Sequence, residues 1–351
     1  MKKNETYFEA RDNSNVLKIR ELLLELPEFC SEFVRGIEGR TTPLTRLGYV
    51  RDIKIFLEFL ISDTNEFQGR KLDSLTYQDL DKITSSHLEM YMSYLNLYRD
   101  NSNKIQKNGE RARSRKLSSV RSMFKYFFRK NLINSNVADK VEAPKVHEQP
   151  ITRLEIDEVV NLLNLSEDGC KLTERQQSYH KHTKLRDYAM LSLFLGTGIR
   201  ISECVGLNIN DIYFDQNAFK VTRKGGSSVI LYFNDEVADA LKRYLQERVE
   251  VKTYYPNEQA LFLSIQNKRI SVRAVEKLVK KYSELITPLK HITPHKLRST
   301  FGTNLYRETN DIYVVADVLG HKDVNTTRKH YAAISEDIRR TAATKVKLRE
   351  D

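Results

Sequence analysis

The stretch "APKVHEQPITRLE", Ala143 to Glu155, constrains the fold more than any other. Proline fixes its own φ and disfavours helix in the residue before it, so a polar segment bracketed by Pro144 and Pro150 cannot be helical throughout. The sequence on its two sides also differs in kind. We therefore expect a domain boundary near residues 145–151. An N-terminal extension would occupy 1–22, a helical domain 23–145, a stiff extended linker 146–151 and a second domain 152–351. A length of 351 residues suits two domains.

The first half carries helical periodicity. In "TRLGYVRDIKIFLEFLIS", Leu47, Val50, Ile53, Phe56, Leu57 and Leu60 recur at spacings of three and four, one apolar stripe. "SSHLEMYMSYLNLYRD" repeats the pattern through Leu88, Tyr91, Met92 and Leu95. In "SRKLSSVRSMFKYFFRKNLI" the stripe is Leu117, Val120, Phe124, Phe127 and Phe128. The residues from Asn101 to Gly109 read as a mobile connector.

Charge is unevenly spread. The formal net charge is +11, which favours a polyanionic partner without requiring one. Between Lys104 and Lys130, Lys107, Arg111, Arg113, Arg115, Lys116, Arg121, Lys125 and Arg129 face only Glu110 as a counter-charge. A solvated helix face usually mixes both signs; this one hardly does. An apolar back with a basic and hydroxyl front suits a helix laid against a DNA groove or backbone. The candidate DNA contacts are Arg111, Arg113, Arg115, Lys116, Ser118, Arg121, Ser122 and Lys125.

Beyond the prolines, Thr152 and Glu155 predict a capping box opening "RLEIDEVVNLLN". "KLRDYAMLSLFLGTG" is an apolar helix ended by Gly196 and Gly198, and "RISECVGLN" a short one after it. "AFKVT" and "SSVILYF", joined by "RKGG", read as a β-hairpin. Helices follow in "DEVADALKRYLQERV", "SVRAVEKLVKKYSELI", three segments of 293–332, and the tail "SEDIRRTAATKVKL". The insert "SEDGCKLTERQQSYHKHTK" reads as a surface loop. The expected fold class is mostly α with a small antiparallel β-sheet, a helical domain followed by an α+β domain.

No apolar run approaches the ~18 residues of a membrane span, and the start "MKKNETYFEARDN" shows no secretory signal. Three widely spaced cysteines, Cys30, Cys170 and Cys204, form no CxxC and suit a reducing compartment. A cytoplasmic, non-membrane protein is expected.

Several polar residues invite a chemical reading, each beside a plain one. His295 and Arg298 lie three apart at a helix start opened by Thr293 and Pro294, where N–H groups favour an anion; the pair also suits a simple cap and ion pair. Arg200 follows a glycine turn at a helix N-terminus, an unfavourable place for a cation unless an anion is near. Glu203, three residues on, is one candidate for that anion. Lys224, in the turn "TRKGGSS", is either a solubilising turn residue or a mobile ammonium over a ligand. His321 follows a Leu-Gly helix stop, and Tyr331, ten residues on, is one of 18 tyrosines.

Taken together, "TGIRISE", "TRKGG", "TPHKLRSTFGT", "LGHKDVNTT" and "HYA" resemble the tyrosine recombinase (phage-integrase-like) family, including Xer-type recombinases. The resemblance covers the second half, and the helical half resembles the family's core-binding domain. It implies a catalytic domain in which Tyr331 is the nucleophile. Arg200 and Arg298 would hold non-bridging phosphate oxygens, Lys224 protonate the leaving 5′-oxygen, His295 assist proton transfer and His321 donate a hydrogen bond. Glu203 would be a support, and no metal or cofactor is implied. Implied partners are double-stranded DNA with paired recombination sites and further copies of the chain, a tetramer in the synaptic complex. Accessory proteins are undetermined. The two domains would clamp duplex DNA, and the last helix would dock on a neighbouring protomer or on its own chain. The short N-terminal extension favours a simple recombinase without arm-site binding. Ser299, where many members carry histidine, and a His321–Tyr331 gap one residue longer than in many Xer-type members depart from the pattern. Tyr306 and Tyr313 are rival tyrosines, but neither follows "LGH". A type IB topoisomerase and a non-catalytic DNA-binding regulator are the alternatives.

Overall fold

The computed structural model describes residues 6–100, 102–147, 152–223, 226–255, 258–320 and 324. Its contacts divide into two compact units, Met1–Gln149 and Pro150–Asp351.

The first unit is helical: α1 (Tyr7–Leu23), α2 (Glu28–Gly36), α3 (Pro43–Asp63), α4 (Tyr77–Lys82), α5 (Ser85–Tyr94) and α6 (Glu110–Arg129). Thr42 caps α3 with Pro43 at its first position, where the missing N–H costs nothing. The stripes predicted for α3 and α5 are buried. On α6, Leu117, Val120, Phe124 and Phe127 are buried, and Met123 joins them. Phe128 does not: at the edge of that stripe, in the last turn, it is 45% exposed. Aromatic edges knit the core, Phe56 against Tyr91 at 5.0 Å and Phe29 against Phe127 at 5.8 Å.

Two expectations change here. The stretch before residue 23 holds a helix: Thr6 and Glu9 form a capping box, and α1 packs along α3 with Ile19 buried. The 101–109 connector carries a short hairpin, β1 (Tyr98–Arg99) against β2 (Ile105–Gln106). Asp100 organises it, its Oδ1 accepting from the N–H groups of Ser102 at 2.9 Å and Lys104 at 3.0 Å. This is an Asx-type turn, completed by Asn103 at φ +57°.

The second unit comprises α7 (Ile156–Asp168), α8 (Glu174–His180), α9 (Lys184–Thr197), α10 (Ile201–Gly206), β3 (Ile212–Tyr213), β4 (Ala218–Thr222), β5 (Ser228–Tyr232), α11 (Asp235–Glu250), α12 (Val272–Ile286), α13 (Pro294–Thr309) and α14 (Ile312–Leu319). The strands form one antiparallel sheet in the order β3-β4-β5, with Ala218 opposite Tyr232 and Thr222 opposite Ser228. The predicted hairpin is therefore present, and the fold class is mostly α with a small antiparallel sheet. Helix α9, apolar nearly all round, is the centre of this unit, packed by α7, α11 and α13.

Three local expectations shift. Helix α7 begins at Ile156, capped by the Glu155–Glu158 box instead of Thr152, because buried Leu154 is held extended by its N–H bond to Thr300 Oγ1 at 3.0 Å. Gly196 lies inside α9, where a β-carbon would meet Val237 Cγ2 at 2.5 Å; Gly198 alone, at φ +62°, ends the helix. The supposed surface loop contains α8, opened by a Thr173–Gln176 capping box and pinned by buried His180, whose Nε2 lies 2.9 Å from Ser166 O.

Among the described residues no helix is long and apolar enough to cross a membrane. Burial pushes the Cys30 and Cys204 thiols up, so both act as small apolar side chains; Cys170 is exposed.

Candidate active site

Two left-handed glycine turns organise the site. Gly198 closes α9 and turns the chain so that Arg200 becomes the N-cap of α10. Gly320, also at φ +62°, closes α14. A β-carbon on Gly198 would fall 2.5 Å from Phe301 Cδ1 and 2.9 Å from Leu319 Cδ2, so glycine is needed for space as well as for φ.

The Arg200 backbone N–H donates to Glu203 Oε2 at 3.0 Å, and its Nη1 pairs with Glu203 Oε1 at 2.9 Å. Glu203 is thus the internal anion that offsets a cation at this helix start. Its side chain is buried, while that of Arg200 is 37% exposed. Arg200 Nη2 also donates to Gly320 O at 3.0 Å.

Arg298 sits just inside α13, which Pro294 opens. It is buried, with Nη1 donating to Gly198 O at 2.5 Å and Nη2 to Leu319 O. Leu319 is anchored by Val315 and by Phe301, Leu305 and Tyr306. Arginines 100 and 120 residues from their acceptors therefore tie together the ends of α9 and α14. His295, one turn before Arg298, is exposed, and its carbonyl accepts from Ser299 Oγ at 3.1 Å.

The structure thus brings Arg200, Glu203 and Arg298 together. Lys224, His321 and Tyr331 lie outside the described residues. Of the rival tyrosines, Tyr306 packs on the Leu319 cluster, while Tyr313 is exposed.

On α6, Arg111, Ser118 and Lys125 are exposed, and Arg113 and Ser122 are partly so. Arg115 is exposed but ion-paired to Asp52 of α3. Arg121 donates to Ala138 O at 3.1 Å and to Val141 O, bracing the end of the first unit. Lys116 turns inward: it is buried, 3.5 Å from Asp52, and desolvation lowers its pKa despite that partner. Its expected phosphate contact is therefore not on offer. The sequence reading also missed Arg40, which joins Ser122, Lys125, Arg129 and Lys130 around one cleft. Arg129 and Lys130 were visible in the basic run, but Arg40 carried no local signal.

Residues 152–337 match the phage integrase family. The tyrosine recombinase XerC of Caldanaerobacter subterraneus subsp. tengcongensis is 32% identical over 346 residues, covering 93% of this chain and 89% of the relative. Among solved structures, the XerH site-specific recombinase bound to palindromic difH substrate aligns over 97% of this chain and 90% of its own, with a TM-score of 0.67 at 16% identity. The Tn1549 transposon integrase in complex with circular intermediate DNA aligns over 87% and 95%, with a TM-score of 0.62 at 20% identity. The chain belongs to the phage integrase family, the tyrosine recombinases. Its activity is site-specific DNA recombination; relaxation by a type IB topoisomerase and a purely regulatory role are not favoured.

Proposed function

We propose that Tyr331 is the nucleophile and that Arg200 and Arg298 hold the scissile phosphate. The Tyr331 oxygen forms a bond to phosphorus as the bond from phosphorus to the 5′-oxygen breaks. His295 assists removal of the phenolic proton, and Lys224 gives a proton to the departing 5′-oxygen. His321 donates a hydrogen bond to a non-bridging oxygen. The bond energy stays in the phosphotyrosine, so the reverse attack by a 5′-hydroxyl reseals a strand without ATP. The observation that carries this reading is the convergence of Arg200 and Arg298 on the Leu319–Gly320 turn. His321 is the next residue in the chain, so both arginines grip the backbone leading into it. Glu203 orients Arg200. Two fixed guanidinium groups suit charge that builds on phosphate oxygens in the transition state.

The partner is duplex DNA carrying paired recombination sites, with four copies of the chain in the synaptic complex. The helical unit supplies a DNA face through Arg111, Arg113, Arg115, Ser118, Ser122 and Lys125 of α6. Arg121 serves that face as a brace.

The test uses a pool of nicked duplexes with a randomised centre, from which the parental protein selects targets by SDS-stable attachment. Tyr331→Phe is expected to lose attachment entirely and to bind the selected duplex as the parent does. Attachment that persists in this variant would refute the assignment.

A further inference from the structure

Arg223 ends the β4 side of the hairpin, directly before Lys224, and its guanidinium lies against Gly320; a β-carbon on that glycine would fall within it. The carbonyl of the same glycine is held by Arg200, and the preceding carbonyl by Arg298. Three guanidinium groups, from three separate elements, meet at one two-residue turn. Such crowding of like charge is unfavourable unless an anion offsets it. Arg200 has Glu203, but among the described residues no carboxylate lies within ion-pair distance of Arg223. Its Nε–H is buried and, among the described residues, has no acceptor.

The hairpin does not need this side chain to close. Arg223 N–H donates to Ser227 O at 2.8 Å, and its carbonyl accepts from Gly226 N–H at 3.0 Å, with Gly226 at φ +84°. These are backbone bonds that many side chains would permit. A buried donor without a partner costs free energy until an acceptor arrives. A phosphate oxygen entering beside Gly320 would supply an acceptor that also offsets the clustered positive charge.

Resting on the assignment of this pocket to DNA phosphate, we propose that Arg223 is a third phosphate-binding guanidinium that contacts a non-bridging oxygen of the DNA backbone. Its planar guanidinium neutralises charge on the backbone, while protonation of the 5′-oxygen falls to Lys224.

The experiment measures affinity against salt on the randomised duplex pool, alongside single-turnover attachment to the selected duplex. Each phosphate contact contributes about 0.9 to the slope of log affinity against log salt. Arg223→Gln is expected to lower that slope by about 0.9 and to slow attachment by about 10²-fold. Arg223→Met, which keeps the apolar stem over Gly320, must lower the slope equally, so the result does not depend on one variant folding. Arg223→Lys keeps the slope. An unchanged slope in both neutral variants overturns the proposal even if attachment slows, because a side chain that only props Gly320 affects rate and not counterion release. Failure of the parental protein to attach to DNA would count against the tyrosine assignment instead and would leave the slope readable.

Discussion

Arg298→Ala is expected to slow covalent attachment to DNA by about 10³-fold and to lower the stability of the second unit by about 2–4 kcal/mol. Both effects come from one side chain. Buried Arg298 donates to Gly198 O and Leu319 O, so alanine leaves two buried carbonyls without donors. Each such loss costs about 1–3 kcal/mol. The Gly198 turn also aims Arg200, whose Nη2 reaches Gly320 O, so losing one arginine loosens the other. Arg298→Lys keeps the charge but not the fork, and a single ammonium cannot reach both carbonyls in the same geometry. It should retain much of the stability and little of the rate. Thermal melting and single-turnover attachment, compared well below the melting temperature, separate the two effects. An alanine variant that melts early but attaches at the parental rate would make Arg298 a purely structural residue.

Asp187→Asn is expected to lower the melting temperature by roughly 10 °C while leaving the site residues in place. Asp187, at the start of α9, is 1% exposed and receives Arg186 Nη2 at 2.6 Å, Lys281 Nζ at 3.1 Å, Tyr282 Oη at 2.9 Å and Thr183 Oγ1 at 3.2 Å. Burial alone would raise its pKa, but Arg186 and Lys281, with the hydrogen bonds, outweigh burial and hold it below the usual carboxylate value. An amide leaves two cations facing a neutral group in a buried site, a break that costs about 3–5 kcal/mol. The sign of the pH dependence follows. A carboxylate depressed on folding adds stability that is complete above its unfolded pKa, about 3.9, and is lost as pH falls through the folded value. The parental protein should therefore lose this part of its stability below about pH 4, and Asp187→Asn should not. Equal acid sensitivity in the two proteins would contradict the assignment.

The regular elements were legible because their signals are local. The stripes of α3 and α5, the apolar run of α9 and the "RKGG" hairpin need only neighbours a few residues away, and all are present. What escaped was set from a distance. Lys116 looks like its neighbours in a basic run, and only Asp52, 64 residues earlier, turns it inward. The start of α7 is fixed by Thr300, 146 residues later, which holds Leu154 extended. Helix α8 lies in a polar segment without a stripe, and its anchor is one histidine on a carbonyl. At the site, the spacing of His295 and Arg298 and the position of Arg200 after a glycine turn pointed to anion binding. The acceptors Gly198 O, Leu319 O and Gly320 O did not, because a backbone carbonyl has no sequence signature. Arg223 was hidden for the same reason: its neighbour Gly320 is visible only in three dimensions.

Mapping the covalent adduct tests most directly which phenolic oxygen carries the DNA strand. The parental protein is trapped on the selected nicked duplex, digested with protease and nuclease, and the modified peptide is identified by mass spectrometry. The expected product is a nucleotide joined through its 3′-phosphate to Tyr331, with a 5′-hydroxyl on the released strand. A remnant on Tyr306, Tyr313 or any other side chain, or a link through a 5′-phosphate, would contradict it.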